Sequence, residues 1–243
     1  MHGTGRLMPT LLAFDTSTDR VHLGLAAGSR SWAEDSPGGA IASATLIDRV
    51  TTLVTTAGLT LRELDAIAYG RGPGAFTGLR TACAVAQGLA LGTSRPVVAV
   101  DTLMAIAEDA RERTGETDLW VAMDARMGEI YAARYLHRRG SWHTVVAPGL
   151  QAPEALAELW RREPARAVAG NAPALFGDRL DCGSAAVIGE AAPRAHALLS
   201  CARASWEAGE AGDAAEALPA YLRNRVALTT LEREAHRHAA AVQ

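Results

Sequence analysis

Two short segments of the chain follow one plan. Leu12-Ala13-Phe14-Asp15 is followed, six residues after its Asp, by Val21, which opens the run Val21 to Ala26. Val121-Ala122-Met123-Asp124 is followed at the same offset by Ile130, which opens Ile130 to Leu136. Each copy reads as a buried strand ending on an Asp, a polar turn and a second strand. A unit used twice in 243 residues predicts two α/β lobes related by duplication, with Asp15 and Asp124 near the cleft between them.

The remaining pattern fits that plan. Leu46, Ile47, Val50, Leu53, Val54 and Ala57 recur at helical spacing, and Gly58 stands where a C-terminal cap belongs. Leu64 to Tyr69 then predicts a strand, Gly70 to Gly78 a glycine-rich loop, Thr77 to Leu91 a helix and Pro96 to Val100 a further strand, together a parallel crossover unit. The second half predicts a strand at Thr144 to Ala147, a helix from Pro153 to Arg162, a short strand Ala167 to Ala169 and a helical stretch Ala192 to Ala208. Gly209 to Ala217 reads as a linker. The expected division is a first lobe over 9–102, a second over 103–217 and a terminal helix over 218–238 whose lobe the sequence leaves unassigned.

The glycine-rich stretch Gly70-Arg-Gly-Pro-Gly-Ala-Phe-Thr-Gly-Leu-Arg80 carries most of the chemical interest. Gly72, Gly74 and Gly78 let backbone approach closely, and the helix that follows begins with unpaired N–H groups that favour an anion. A phosphate cradle and a tight strand-to-helix turn without a ligand both fit it. Thr77 occupies the last glycine position of a dinucleotide fingerprint, so that motif is not matched. Asp15, in an Asp-Thr-Ser-Thr turn with Thr16 and Ser17, suits either a cleft carboxylate or a turn that satisfies its own backbone. Gly78, Ala82, Val85 and Leu89 form one stripe of the following helix, and Leu79, Cys83, Ala86 and Ala90 a second. A helix apolar on nearly every side is buried all round, inside this chain or against another.

Composition removes several function classes. All 24 basic residues are Arg, which excludes a Walker-type phosphate Lys, a Schiff base and a Ser-Lys dyad. A net charge of −3 argues against autonomous, non-specific nucleic-acid binding, which depends on surplus cations. Cys83, Cys182 and Cys201 lack the spacing of a disulfide framework or a zinc knuckle, and the chain contains no His-x-x-x-His. No metal site is expected. Ser17 and Ser43 have no flanking nucleophile-elbow glycines, so a hydrolase triad has no support. No signal peptide or membrane span is expected, and a reducing cytoplasm fits best.

Leu12-Ala-Phe-Asp-Thr-Ser-Thr18, Gly72-Pro-Gly-Ala-Phe-Thr-Gly-Leu-Arg80, Met123-Asp-Ala-Arg-Met-Gly-Glu-Ile-Tyr131 and Pro219-Ala-Tyr-Leu-Arg223 together resemble the TsaB family, in content and in order. The resemblance spans residues 11 to about 228. It implies two lobes of the actin-like ATPase and sugar-kinase superfamily and a non-catalytic scaffold or activating subunit in the synthesis of threonylcarbamoyladenosine in tRNA. It further implies pairing with the catalytic paralogue TsaD, recruitment of the ATPase TsaE, and contact with tRNA through the complex. A homodimer is expected when the chain is alone. No cofactor is expected on this chain by itself; ATP or ADP with magnesium are candidates for the complex, with Asp15, Thr16, Ser17, Gly72, Gly74, Thr77, Gly78 and Asp124 as the cleft residues. The resemblance assigns the partner interface to the first two helices, about Ala42 to Ala57 and Thr77 to Leu91. Leu46, Val50 and Leu53 on the first and Gly78, Ala82, Val85, Ala86 and Leu89 on the second are the expected contacts. The sequence departs from the family at Thr45, where Pro is usual, and at Ala75, where a Ser hydroxyl is often seen; the first helix also lacks a His at its start. A self-contained actin-like ATPase or small-molecule kinase is the alternative, and a peptidase a more distant one.

Overall fold

The computed structural model describes residues 8–223. The first half runs β1 (Leu11–Asp15), β2 (Arg20–Ala27), β3 (Arg30–Pro37), α1 (Ala40–Thr56), β4 (Ala66–Gly72), α2 (Phe76–Thr93), β5 (Val97–Asp101) and α3 (Thr102–Thr114). The second runs β6 (Asp118–Asp124), β7 (Ile130–Arg138), β8 (Ser141–Gln151), α4 (Pro153–Arg162), β9 (Ala167–Ala169), α5 (Ala172–Phe176), β10 (Ala186–Ile188) and α6 (Ala195–Glu207). The order βββαβαβα therefore occurs twice. The two sheets have matching strand orders, β3-β2-β1-β4-β5 and β8-β7-β6-β9-β10, with antiparallel hairpin strands on one side and parallel crossover strands on the other. The duplication read from two tetrapeptides thus extends to the whole topology.

Each sheet is covered on both faces, which is why its central strands are continuously apolar. Leu12 and Phe14 of β1 enter a core with α1 and α2, while Leu11 and Ala13, pointing the other way, pack against α6. In the second sheet Leu119 and Val121 face α3, and Trp120 and Ala122 face α4.

Several boundaries differ from the sequence expectation. β3 was not expected: Arg30-Ser-Trp-Ala-Glu-Asp-Ser-Pro37 is a largely exposed edge strand and carries no apolar alternation. α3 was not expected either, since it buries Glu108 and Asp109 together with its apolar residues. The glycine-rich stretch is mostly strand and helix, because β4 continues to Gly72 and α2 starts at Phe76.

The chain also divides differently. α1 and α2 both cover one face of the first sheet, leaving the other bare, and α6 fills it with Leu198, Leu199 and Ala202. Gly212 then exchanges two backbone hydrogen bonds with Val97, and Ala214 and Ala217 enter the first lobe's core. Residues 195–217 consequently pack with the first lobe, whereas the sequence reading placed them in the second. From Leu218 to Arg223 the backbone has no regular structure, so the expected terminal helix does not begin there; residues 224–238 lie outside the described residues. Among the described residues no helix is long and apolar enough to cross a membrane.

Candidate functional site

β1 and β6 each end on an aspartate, Asp15 and Asp124, as the repeat predicts. Their side chains end up in different settings. Asp15 is 0% exposed. One of its oxygens accepts from the backbone N–H of Ser17 at 2.7 Å and from the Ser17 hydroxyl at 2.5 Å; the other accepts from the Thr102 hydroxyl at 2.7 Å. Thr102 opens α3, so this buried carboxylate ties the β1–β2 turn to the helix that leads into the second lobe. Bonds to a charged group are worth about 1.5–3 kcal/mol each.

The glycine-rich segment meets the same turn. A Cβ on Gly70 would lie 1.8 Å from an Asp15 carboxylate oxygen, one on Gly74 2.4 Å from the Ser17 Cβ, and one on Gly78 1.8 Å from the Thr16 carbonyl oxygen. The contact is sealed by hydrogen bonds: the Thr16 hydroxyl donates to the Gly78 carbonyl at 2.6 Å, and the Ala75 N–H donates to the Ser17 carbonyl at 2.7 Å. Gly72 donates its N–H to the Thr102 hydroxyl at 3.2 Å. The glycines let the β1–β2 turn pack directly against the glycine-rich segment. Thr77 is exposed at the start of α2, away from this contact.

Asp124 borders the open part of the cleft. It accepts from the Arg126 N–H at 2.8 Å and from the Arg126 guanidinium at 3.0 Å, and its own N–H donates to the Asn171 side chain at 2.9 Å. A cavity of about 370 Å³ lies between the lobes, lined by Ser17, Thr18 and Asp19 on one side and by Asp124, Arg126 and Asn171 on the other. The structure therefore brings Ser17, Gly74 and Asp124 to one cleft and sets Asp15 behind it, fully occupied. Among the described residues no cluster of His, Cys, Asp and Glu has the makings of a metal site. Burial pushes the Cys83 thiol up to about 11 and raises Cys182 and Cys201 as well, the opposite of an activated nucleophile.

The sequence reading missed the C-terminal segment. Ala220 donates its N–H to the Arg71 carbonyl at 2.8 Å, the Tyr221 ring lies 5.1 Å from Phe76, and the Tyr221 hydroxyl accepts from Arg80 at 3.0 Å. Arg223 pairs with Glu129. Pro219 to Arg223 stands out as a motif, but nothing local in it signals that its partners are 90 to 150 positions away.

The expected interface residues need correction. Leu46, Val50 and Leu53 on α1 and Ala82 and Ala86 on α2 are buried in the chain's own core, and Val85 and Leu89 pack against its margin. Gly78 is closed by Thr16. These faces cover one side of the first sheet. The outward apolar residues of the same helices are Ile41 and Ile47, 61% and 55% exposed, and Leu91, 71% exposed; Ala44, Ala84 and Gly88 are exposed beside them.

Residues 42–173 match the family model for TsaD, tRNA N6-adenosine threonylcarbamoyltransferase, and the doubled βββαβαβα lobes around a cleft make this an actin-like α/β protein. The chain is 37% identical over 186 residues to the tRNA threonylcarbamoyladenosine biosynthesis protein TsaB of Escherichia coli (strain K12), covering 75% of this chain and 80% of that one. It is 30% identical over 227 residues to the Haemophilus influenzae protein of the same name, covering 89% and 94%. The solved structure of YeaZ from Pseudomonas aeruginosa superposes with a TM-score of 0.81 at 36% identity, covering 88% of this chain and 100% of that one. The chain belongs to the TsaB family.

Proposed function

We propose that this chain is a non-catalytic scaffold and activating subunit in the synthesis of threonylcarbamoyladenosine in tRNA, acting beside TsaD. The observation that carries the reading is the interlock of the β1–β2 turn with the glycine-rich segment. The groups that would serve a nucleotide are engaged with one another: Asp15 with Ser17 and Thr102, Thr16 with Gly78, and the Gly70 and Gly78 hollows with protein atoms. With no lysine in the chain, ATP and magnesium belong to the partners. TsaD pairs with the outward faces of α1 and α2, around Ile41, Ile47 and Leu91; TsaE joins the pair, and tRNA is held by the assembly rather than by this acidic chain. Alone, the chain closes the same apolar faces against a second copy, since exposed apolar patches beyond a few hundred Å² mark interaction sites.

Reconstitution tests this. TsaD with TsaE and the threonylcarbamoyl donor should modify tRNA fast with this chain and slowly without it. The chain alone should turn over no ATP. Magnesium-dependent hydrolysis by the chain alone, abolished in Asp124→Asn, would overturn the scaffold reading in favour of a self-contained ATPase or kinase.

A further inference from the structure

Among the described residues, the lobes of this molecule are joined at two separate places. At one, α3 packs along α6; Glu108 of α3 accepts from Ser200 of α6, and Asp109 from the Ala192 N–H and from Arg194, its ion-pair partner. Two passages of the chain between the lobes, through α3 and from β10 into α6, meet at this seam. Two crossings at one seam make a hinge, and a hinge leaves the cleft side free to open.

The second junction lies on the cleft side and is made by residues 217–223. Their first part is bound to the first lobe. The Ala217 carbonyl accepts from Gln87 at 3.2 Å and the Leu218 carbonyl from the Tyr69 hydroxyl at 3.4 Å, while Ala220 bonds Arg71. Tyr221 closes a three-way contact: its ring lies 5.1 Å from Phe76, its hydroxyl accepts from Arg80 at 3.0 Å, and the Arg80 guanidinium lies 3.9 Å from the centre of the Phe76 ring. Their last part is bound to the second lobe. Leu222 packs on its core, and Arg223 pairs with Glu129 and donates to the Arg126 carbonyl at 3.3 Å.

That carbonyl belongs to a turn under backbone strain. Arg126 and Met127 have φ of 63° and 55°, followed by Gly128 at 76°, and non-glycine residues enter this region at a cost. Such a turn persists when its surroundings over-determine it, and Arg223 grips it at both ends.

We propose that residues 217–223 are a clasp that holds the two lobes at one fixed angle, so that a fold built to hinge works as a single rigid body. Its tie to the first lobe is the mutual contact of Tyr221 with Phe76 and Arg80, and its tie to the second is the Arg223 contact with the β6–β7 turn. The inference stands apart from the scaffold reading, because a hinged chain could equally be a scaffold.

Dipolar electron-spin measurements on the full chain test it. With Cys182→Ser the remaining cysteines, Cys83 and Cys201, are buried, and spin labels go on Thr52→Cys in α1 and Leu175→Cys in α5, both exposed. Diluted with excess unlabelled chain, so that distances between copies drop out, the otherwise unaltered protein should give one narrow distance. Tyr221→Ala combined with Arg223→Ala should replace it with a broad or longer distribution. A narrow, unchanged distance in the variant, or a broad one already in the parent, overturns the proposal. Should the double variant not fold, Arg223→Gln, which leaves the Tyr221 contacts with Phe76 and Arg80 in place, decides on the same readout.

Discussion

Asp15 has the position of a catalytic carboxylate and the bonding of a structural one. Both oxygens are taken by donors from its own turn and from α3, and the carboxylate is closed over by Gly70. The turn-satisfying reading was legible in Asp-Thr-Ser-Thr, because such turns bond their own backbone. What the glycines are for was not legible, since the atoms that need their missing Cβ groups lie about 60 positions earlier in the chain, on a turn that only the folded sheet brings alongside. Gly78→Ala should therefore be costly. Its Cβ would meet the Thr16 backbone oxygen at 1.8 Å, and backbone cannot step aside as a flexible side chain can. A loss of more than about 3 kcal/mol is expected from such overpacking, read as a lower midpoint in urea unfolding. Gly88→Ala, on the same helix with open space around it, should be neutral or slightly stabilising, because alanine has the better helix propensity. Equal losses at both positions would mean that the interlock carries no energy.

Among the elements, α1 is the instructive case. Helical spacing correctly marked Leu46, Val50 and Leu53 as one face, but periodicity reports that a face is apolar and not what covers it. The sheet behind α1 needed that face, and the residues left for a partner are Ile41 and Ile47, of which Ile47 fell into the same periodic count. The strands and helices that were missed have physical reasons too: β3 is a polar edge strand, and α3 hides its amphipathicity by burying two acids that are paired with arginines. Substitutions on α1 separate the two faces. Val50→Glu places a charge with no partner in the core, and should cost several kcal/mol and most of the cooperative thermal transition. Ile47→Glu should change stability by no more than about 0.5 kcal/mol, yet abolish co-elution with TsaD and the self-association of the isolated chain in size-exclusion chromatography. An Ile47→Glu protein that still co-elutes moves the interface off α1.

At the scale of the molecule, the duplication gives two equal lobes, and the return of α6 to the first sheet knits them together. The seam this creates depends on ionised carboxylates. Glu108 is nearly buried, which by itself would push its pKa up, but it accepts two bonds from Arg111 and one each from Ser200 and Trp142, and these hold it at about 2 against an ordinary 4.5. Three elements, α3, α6 and β8, thus converge on one carboxylate. A folded value below the unfolded one means that the stabilisation is complete above pH 4.5 and is lost as pH falls from there towards 2. The shift corresponds to about 3 kcal/mol. Glu112, next on α3, is shifted the other way by burial and by Glu108 itself, so total stability against pH mixes opposing contributions, and the difference between the parent and Glu108→Gln isolates the one at issue. The parent should lose more stability than the variant between pH 5 and pH 3, with the gap between them narrowing steadily as the solution becomes more acidic. Urea midpoints at four or five pH values measure this directly, and two parallel curves would show that Glu108 titrates alike in the folded and unfolded chain and that the seam rests on apolar packing alone.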